Sequence, residues 1–320
     1  RLRDKKVSSI LKIELMSYLR IGFLSLLTVA FLLLSTGCDD DRPARVTGLE
    51  NTTSPTHIGE WMSQLKAIFR STNITGAEAS RVLAYASIAY YEGYALSADD
   101  MRSMVGQLDG LDELPELNPE LTYNYGVIAE AAMSTVLLHM FDDATNELKL
   151  VIRSTYFDHE RSYTVQGVNP NIIERSRIFG ELMGASIILW SEDDGYSDMD
   201  NCSLNIPTEP NNWQPTPSSF SPPEFPCWGD LRAFTFSPNE LISLCHPGIP
   251  EDVSAASESN YQSDITELVE NGIVLTTAQE DIAKFWSDGP GTYTLPGHYI
   301  SILEQLISQN LLNGKQTVTA

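Results

Sequence analysis

"GAEASRVLAYASIAYYEGYAL", Gly76–Leu96, decides the fold class. Val82, Ala86, Ala89 and Tyr90 fall on one stripe of a helix, and the Ala and Gly residues between them let a second helix approach closely. Upstream, "HIGEWMSQLKAIFR" (His57–Arg70) places Ile58, Trp61, Leu65 and Ile68 on one helical face. Downstream, a helix spans Leu121 to Leu138 with Pro119 as its start signal. "DDATNELKLVIRSTYFDHERSY" (Asp142–Tyr163) follows, with Asp142 as its N-cap. In "NIIERSRIFGELMGASIILW" (Asn171–Trp190), Ile178, Leu182, Ala185 and Leu189 line one face. Gly180 and Gly184 lie on another, where a neighbouring backbone could come close.

Between Asp193 and Phe236 this pattern breaks. Seven prolines sit in "IPTEPNNWQPTPSSFSPPEFPCW" (Ile206–Trp228), with Trp213 and Trp228 among them. Proline fixes φ and removes a donor, so the stretch is neither a regular helix nor a central strand. Its aromatic content argues for a long ordered loop packed on the helices. Helical patterns resume at "SDITELVENGI" (Ser263–Ile273), "TAQEDIAKFW" (Thr277–Trp286) and "HYISILEQLISQNLL" (His298–Leu312). Thr277 with Glu280 reads as a capping box. No strand-period segment of useful length appears, and no tandem repeat. The expected fold is an all-α helical bundle with a long Pro/Trp-rich irregular insertion.

The ends say where such a bundle would reside. The chain opens on Arg1, and residues 1–15 read as upstream of the first Met, Met16. "MSYLRIGFLSLLTVAFLLLSTGCDDD" (Met16–Asp41) has one basic residue, Arg20, then a run free of charge from Ile21 to Leu34. About 14 residues would span ~21 Å as a helix, short of the ~30 Å hydrocarbon core, which favours a cleaved signal over an anchor. Because Cys38 follows Gly37, the segment resembles a bacterial lipoprotein signal, with Cys38 acylated after cleavage. The weaker alternative is an ordinary secretory signal. Asp39, Asp40 and Asp41 resemble the acidic tract of surface-exported lipoproteins. The organisation read from this is signal 1–37, polar tether 38–56 and helical domain 57–320. The localisation is a bacterial cell envelope, lipid-anchored, on the periplasmic or extracellular face.

The formal charge of −23 repels nucleic acid and anionic surfaces, while 42% hydrophobic residues suffice for a core. Cys202, Cys227 and Cys245 read as structural cysteines, and spacing leaves their pairing open.

Each candidate for chemistry competes with a bland reading. The chain has no GxSxG, P-loop, HExxH or CxxC. "EDDGYSDMDN" (Glu192–Asn201) could offer Asp194, Asp198 and Asp200 to calcium, but a solvated acidic turn is the preferred reading. His139 near Asp142 and Asp143, and His159 beside Asp158 and Glu160, read as isolated pairs at surfaces or helix ends. No metal ligand set is assigned.

Four segments in one order carry a resemblance. They are "ASRVLAYASIAYYEGYAL" (Ala79–Leu96), "ASIILWSEDDGY" (Ala185–Tyr196), "NNWQPTPSSFSPPEFPCWGDLRAFTF" (Asn211–Phe236) and "LTTAQEDIAKFWSDGPGTYTLPGHYISI" (Leu275–Ile302). Together they resemble the bacterial vanadium-dependent haloperoxidases, which share a superfamily with type-2 phosphatidic acid phosphatases. The resemblance implies an all-α bundle that binds vanadate or a phosphate ester, held by a Lys, an Arg-Pro, a Ser-Gly-His turn and an Arg-x5-His segment. In this chain no Arg follows Arg232, and the only Arg-Pro is Arg42-Pro43 in the tether. No His or Arg follows His298, which sits in the family's earlier Pro-Gly-His.

The expectation is therefore the N-terminal, non-catalytic portion of a longer enzyme, with the oxyanion site beyond Ala320 and the bundle incomplete at its C-terminus. No catalytic or cofactor-binding residue is assigned in this chain; Trp286 and His298 are expected at the pocket wall. Vanadate is the expected cofactor of the full-length protein, and a phosphate ester, or halide plus peroxide, its substrate. Other expected partners are the membrane through Cys38 and a second copy of the chain; nucleic acid is excluded. The alternative is a helical surface lipoprotein that binds glycans or other nutrients without catalysis.

Overall fold

A computed structural model of the protein describes residues 55–202, 213–237, 240, 243, 260–289 and 291–319. All regular structure among them is helical. Helices α1 (Pro55–Thr72), α2 (Gly76–Ala95), α3 (Tyr125–Met140), α4 (Asn146–Val165) and α5 (Pro170–Glu192) come first. After the insertion follow α6 (Asn260–Ile273), α7 (Thr277–Trp286), α8 (Thr294–Ser308) and the short α9 (Gly314–Thr319). None of the described helices is long and apolar enough to cross a membrane.

Helix α3 is the axis of the bundle. Its residues Gly126 to Ser134, with Val136 and Leu137, are all buried, as expected of a helix that is apolar around its whole circumference. It starts where the Asn124 side chain accepts from Val127 N at 3.0 Å, four residues later than the proline signal suggests. Helices α2 and α5 flank it. A Cβ on Gly180 would lie 2.4 Å from Ile128 O, and one on Gly184 2.8 Å from Ala132 O. From the other side, a Cβ on Gly93 would lie 2.6 Å from Ala129 Cα. Glycine is thus what brings both flanking backbones against α3, as the sequence implied for Gly180 and Gly184.

The same contact corrects the reading of α5. Ile178, Leu182 and Leu189 are 46%, 54% and 68% exposed, and Ala185 is exposed as well. The buried face carries Ile173, Phe179, Met183, Ile187 and Trp190 instead. Two apolar stripes compete on this helix, and the one beside the glycines wins because it alone allows close packing on α3.

The stripes of α1 and α2 are buried as read. Trp61, Leu65, Ala86 and Ala89 are fully inaccessible, and Ile58, Ile68, Val82 and Tyr90 nearly so. Each fully buried large side chain contributes about 1.5–3 kcal/mol relative to exposure. Helix α8 packs across α1 and α2, with Ile300 buried and Leu303 and Ile307 against the core. Helices α6 and α7 form where expected but bury none of their side chains.

Two caps differ from the sequence reading. Helix α4 is capped by Thr145, whose hydroxyl accepts from Leu148 N at 3.3 Å, rather than by Asp142. Asp142 instead faces Lys149 at 3.2 Å. The capping box of α7 is Thr276 with Gln279, one residue earlier than Thr277 and Glu280. A Thr-Thr pair leaves the register ambiguous, and Gln279 closes the box as well as Glu would.

The described part of the insertion, 213–237, has one 3-10 turn at Trp228–Asp230 and is otherwise irregular. A disulfide joins Cys202 to Cys227, while Cys245 lies outside the described residues. Phe234 stacks near Trp190 (5.1 Å) and Tyr85 (5.4 Å), so the end of the insertion is anchored on the core. Trp213 and Phe220, however, are 51% and 62% exposed, so its middle is not packed as the aromatic content suggested. The signal, Cys38, Arg42-Pro43 and the tether up to residue 54 lie outside the described residues, and the last two tether residues, Pro55 and Thr56, open α1.

Candidate functional site

In the apolar axis helix one residue is charged. Glu130 is 0% exposed. A carboxylate there needs partners, because burying an isolated charge is prohibitive. They come from three other helices. His159 of α4 faces Glu130 Oε2 with Nδ1 at 2.9 Å, and Trp61 Nε1 of α1 donates to the same oxygen at 2.5 Å. On the other oxygen, Oε1, Tyr90 of α2 donates its hydroxyl at 3.4 Å, and His57 Nδ1 lies 3.3 Å away.

Both imidazoles are fixed from behind. His159 Nε2 meets Glu60 Oε2 at 2.7 Å, and His57 Nε2 meets Ser162 Oγ at 3.1 Å. The two rings stack with centroids 4.2 Å apart and planes 6° from parallel. Helical spacing makes this local order. His57, Glu60 and Trp61 share one face of α1, and His159 with Ser162 share one face of α4. His159 and His57 are 3% and 7% exposed, whereas the Glu60 side chain is 55% exposed and links the cluster to solvent.

Charge follows from this geometry. Burial by itself would raise the Glu130 carboxyl, but the hydrogen bond from His159 and the imidazole of His57 facing the other oxygen hold it well below the usual carboxylate range. Burial would likewise lower His159, yet the carboxylates of Glu130 and Glu60 on its two nitrogens raise it above the ordinary imidazole value. His159 is therefore not the isolated pair with Asp158 and Glu160 read from sequence. Asp158 faces Arg161 at the surface, and Glu160 accepts from Tyr156 at 2.5 Å. The partners of His159 are 29 and 99 residues away.

A second buried carboxylate, Asp194, closes the end of α5. It is 5% exposed and takes Arg81 Nε at 2.7 Å and the Tyr85 hydroxyl at 2.9 Å on Oδ2. Its Oδ1 accepts from Tyr196 N at 2.9 Å. Arg81 also reaches Ser191 O at 2.8 Å, and Arg232 reaches Trp190 O at 2.6 Å, so two guanidiniums hold carbonyls at the helix C-terminus. Asp194 is thus neither a calcium ligand nor part of a solvated turn, although Asp198 is exposed.

His298 is 4% exposed at the start of α8. Its Nε2 lies 2.6 Å from Asp288 Oδ1, and its ring sits among Phe285 (4.7 Å), Trp286 (4.5 Å) and Tyr293 (4.9 Å). Trp286 itself is 52% exposed. Pro296 and Gly297 lie inside the first turn of α8. Of the other histidines, His139 is partly exposed beside Glu192 at 3.7 Å, and His246 is outside the described residues.

The residues described here do not fit vanadate or a phosphate ester. Such an anion needs several free cationic donors. Arg81 is committed to Asp194, Arg232 to Trp190 O, Arg175 to Thr122 O and Lys66 to Glu304.

The bundle has the fold of the vanadium haloperoxidases. The crystal structure described as that of the first bacterial vanadium-dependent iodoperoxidase superposes with a TM-score of 0.69 at 22% sequence identity. The match covers 86% of this chain and 66% of that one, so the chain spans just under two thirds of the peroxidase's length. No protein-family profile matches the sequence, and no curated protein does. At this identity the likeness shows the fold.

Proposed function

We propose that this chain is the N-terminal helical portion of an envelope-anchored, haloperoxidase- or acid-phosphatase-like enzyme whose oxyanion site is completed by residues beyond Ala320. The observation that carries the reading is the uneven coverage: 86% of this chain against 66% of the iodoperoxidase. Two further features support it. The cations within the bundle are already paired, and α6 and α7 expose Ile265, Leu268, Val269, Ile282, Phe285 and Trp286, as an incompletely covered bundle would. Here the chain supplies scaffold and pocket wall, with vanadate or substrate phosphate held by the added segment.

The test compares the purified 320-residue chain with the product of a reading frame extended past Ala320. Each is assayed for halide-dependent peroxidation and phosphate-ester hydrolysis, with and without vanadate. The expected result is activity in the extended product alone. Turnover by the shorter chain overturns the reading. For the anchor, fatty-acid labelling that disappears in Cys38→Ala is expected; labelling that persists contradicts lipidation at Cys38. A second reading, glycan binding by a surface lipoprotein, is favoured by the half-exposed Trp213 and Trp286, and titration of those tryptophans' fluorescence with oligosaccharides tests it.

A further inference from the structure

The hydrogen bonds of His159 fix its charge. Each ring nitrogen faces a carboxylate oxygen, Nδ1 on Glu130 at 2.9 Å and Nε2 on Glu60 at 2.7 Å. A carboxylate only accepts, so both nitrogens must donate, and only the imidazolium carries two N–H groups. His57 differs. Ser162 spends its one proton on His159 O at 2.7 Å, so its Oγ accepts from His57 Nε2. A neutral His57 then turns a bare Nδ1 toward Glu130 Oε1, which accounts for that atom having no hydrogen bond. His159 is thus the cation of the cluster.

Removing its proton has an asymmetric outcome. A neutral His159 has one N–H for two carboxylates. Glu130 is fully buried and cannot turn to water, whereas the Glu60 side chain is 55% exposed and can. The remaining N–H therefore stays on Glu130, and Glu60 is released.

We propose that His159 is a pH-operated clasp: protonated, it fastens the N-terminal end of α1 to α4 through Glu60, and on the alkaline side of its titration it lets that end go. The titratable groups facing it are Glu60 and His57 of α1, Glu130 of α3 with Tyr90 of α2 on its other oxygen, and Tyr163 of α4, edge-on to His57. Burial opposes the charge on His159, but the two carboxylates outweigh it and hold the proton beyond the ordinary imidazole range. The stabilisation is therefore complete below the ordinary imidazole value and is lost as pH rises through the raised one. The opening is local. Trp61 on Glu130 and Lys66 on Glu304 of α8 hold the rest of α1. The proposal does not depend on the oxyanion enzyme reading, since it uses only residues of this chain.

The test is a pH titration of the full chain, purified, read by NMR of the histidine ring nitrogens and by amide exchange corrected for the intrinsic effect of pH. At about pH 7, where a free imidazole is mostly neutral, both nitrogens of His159 are expected to carry protons. As pH rises further, Nε2 should lose its proton first. Over the same range, opening of residues 55–60 should increase relative to α3, by about tenfold for each pH unit between the raised value and the ordinary one. Glu60→Gln, at an exposed position, should bring the His159 titration back toward the ordinary range and flatten the pH dependence of exchange in α1. Glu147→Gln, which removes an exposed acid of α4, should change neither. The proposal is overturned if His159 titrates in the ordinary imidazole range or if α1 exchanges equally on both sides of the titration. It is equally overturned if Glu60→Gln keeps the wild-type pH dependence.

Discussion

Two of the buried carboxylates in this bundle, Asp194 and Glu130, are satisfied in opposite ways. Asp194 is met by Arg81, Tyr85 and the Tyr196 amide, so both its oxygens are filled by groups with no other state near neutral pH. Glu130 is met by imidazoles, and one imidazole nitrogen facing it has no hydrogen bond. A guanidinium is always charged and presents a fixed fork, whereas imidazole gains or loses a proton near neutral pH. Both clusters tie distant helices together. The Asp194 cluster is held by a fixed charge, whereas the Glu130 cluster is held by imidazoles.

The largest expected effect breaks the Asp194 cluster. Arg81→Ala leaves Asp194 buried with only neutral donors and uncaps Ser191 O, so a loss of about 3–5 kcal/mol is expected in denaturant unfolding. If the loss is below about 1 kcal/mol, the cluster is not a structural tie. Next comes Glu130→Gln, expected to cost about 2–3 kcal/mol in denaturant unfolding because it strands His159 among fewer acceptors. A loss below about 0.5 kcal/mol would mean that the buried imidazoles are satisfied without the carboxylate.

Gly180→Ala probes the contact that sets α3 between them. A methyl 2.4 Å from Ile128 O must move a backbone, for an expected loss of about 1–3 kcal/mol by thermal unfolding. The smallest effect belongs to the outer stripe of α5. Leu189→Ser, at a site 68% exposed, is expected to change stability by less than about 0.5 kcal/mol. A loss of about 2 kcal/mol would mean that face is covered in solution.

These contrasts explain what could be read in advance. In α1 and α2 the apolar stripe is single, so Ile58, Trp61, Leu65 and Val82 gave the buried face directly. In α5 two stripes compete, and the deciding factor is the backbone contact at Gly180 and Gly184 with another helix, which periodicity cannot rank. The Glu130 cluster was hidden for a related reason. His159 has acidic neighbours at Asp158 and Glu160, but on a helix adjacent residues point apart. Its true partners, Glu60 and Glu130, are brought in by packing. The available signal was the lone acid in an otherwise apolar segment from Tyr125 to Met140, since such a residue must have partners. The resemblance to haloperoxidases, by contrast, was carried by the order of four segments and needed no tertiary detail.

The central claim is that these residues scaffold an oxyanion site without forming it. Vanadium NMR of orthovanadate titrated with the purified 320-residue chain tests it most directly. The expected result is an unchanged free-vanadate signal at stoichiometric protein; a bound resonance saturating at one vanadate per chain would contradict the account.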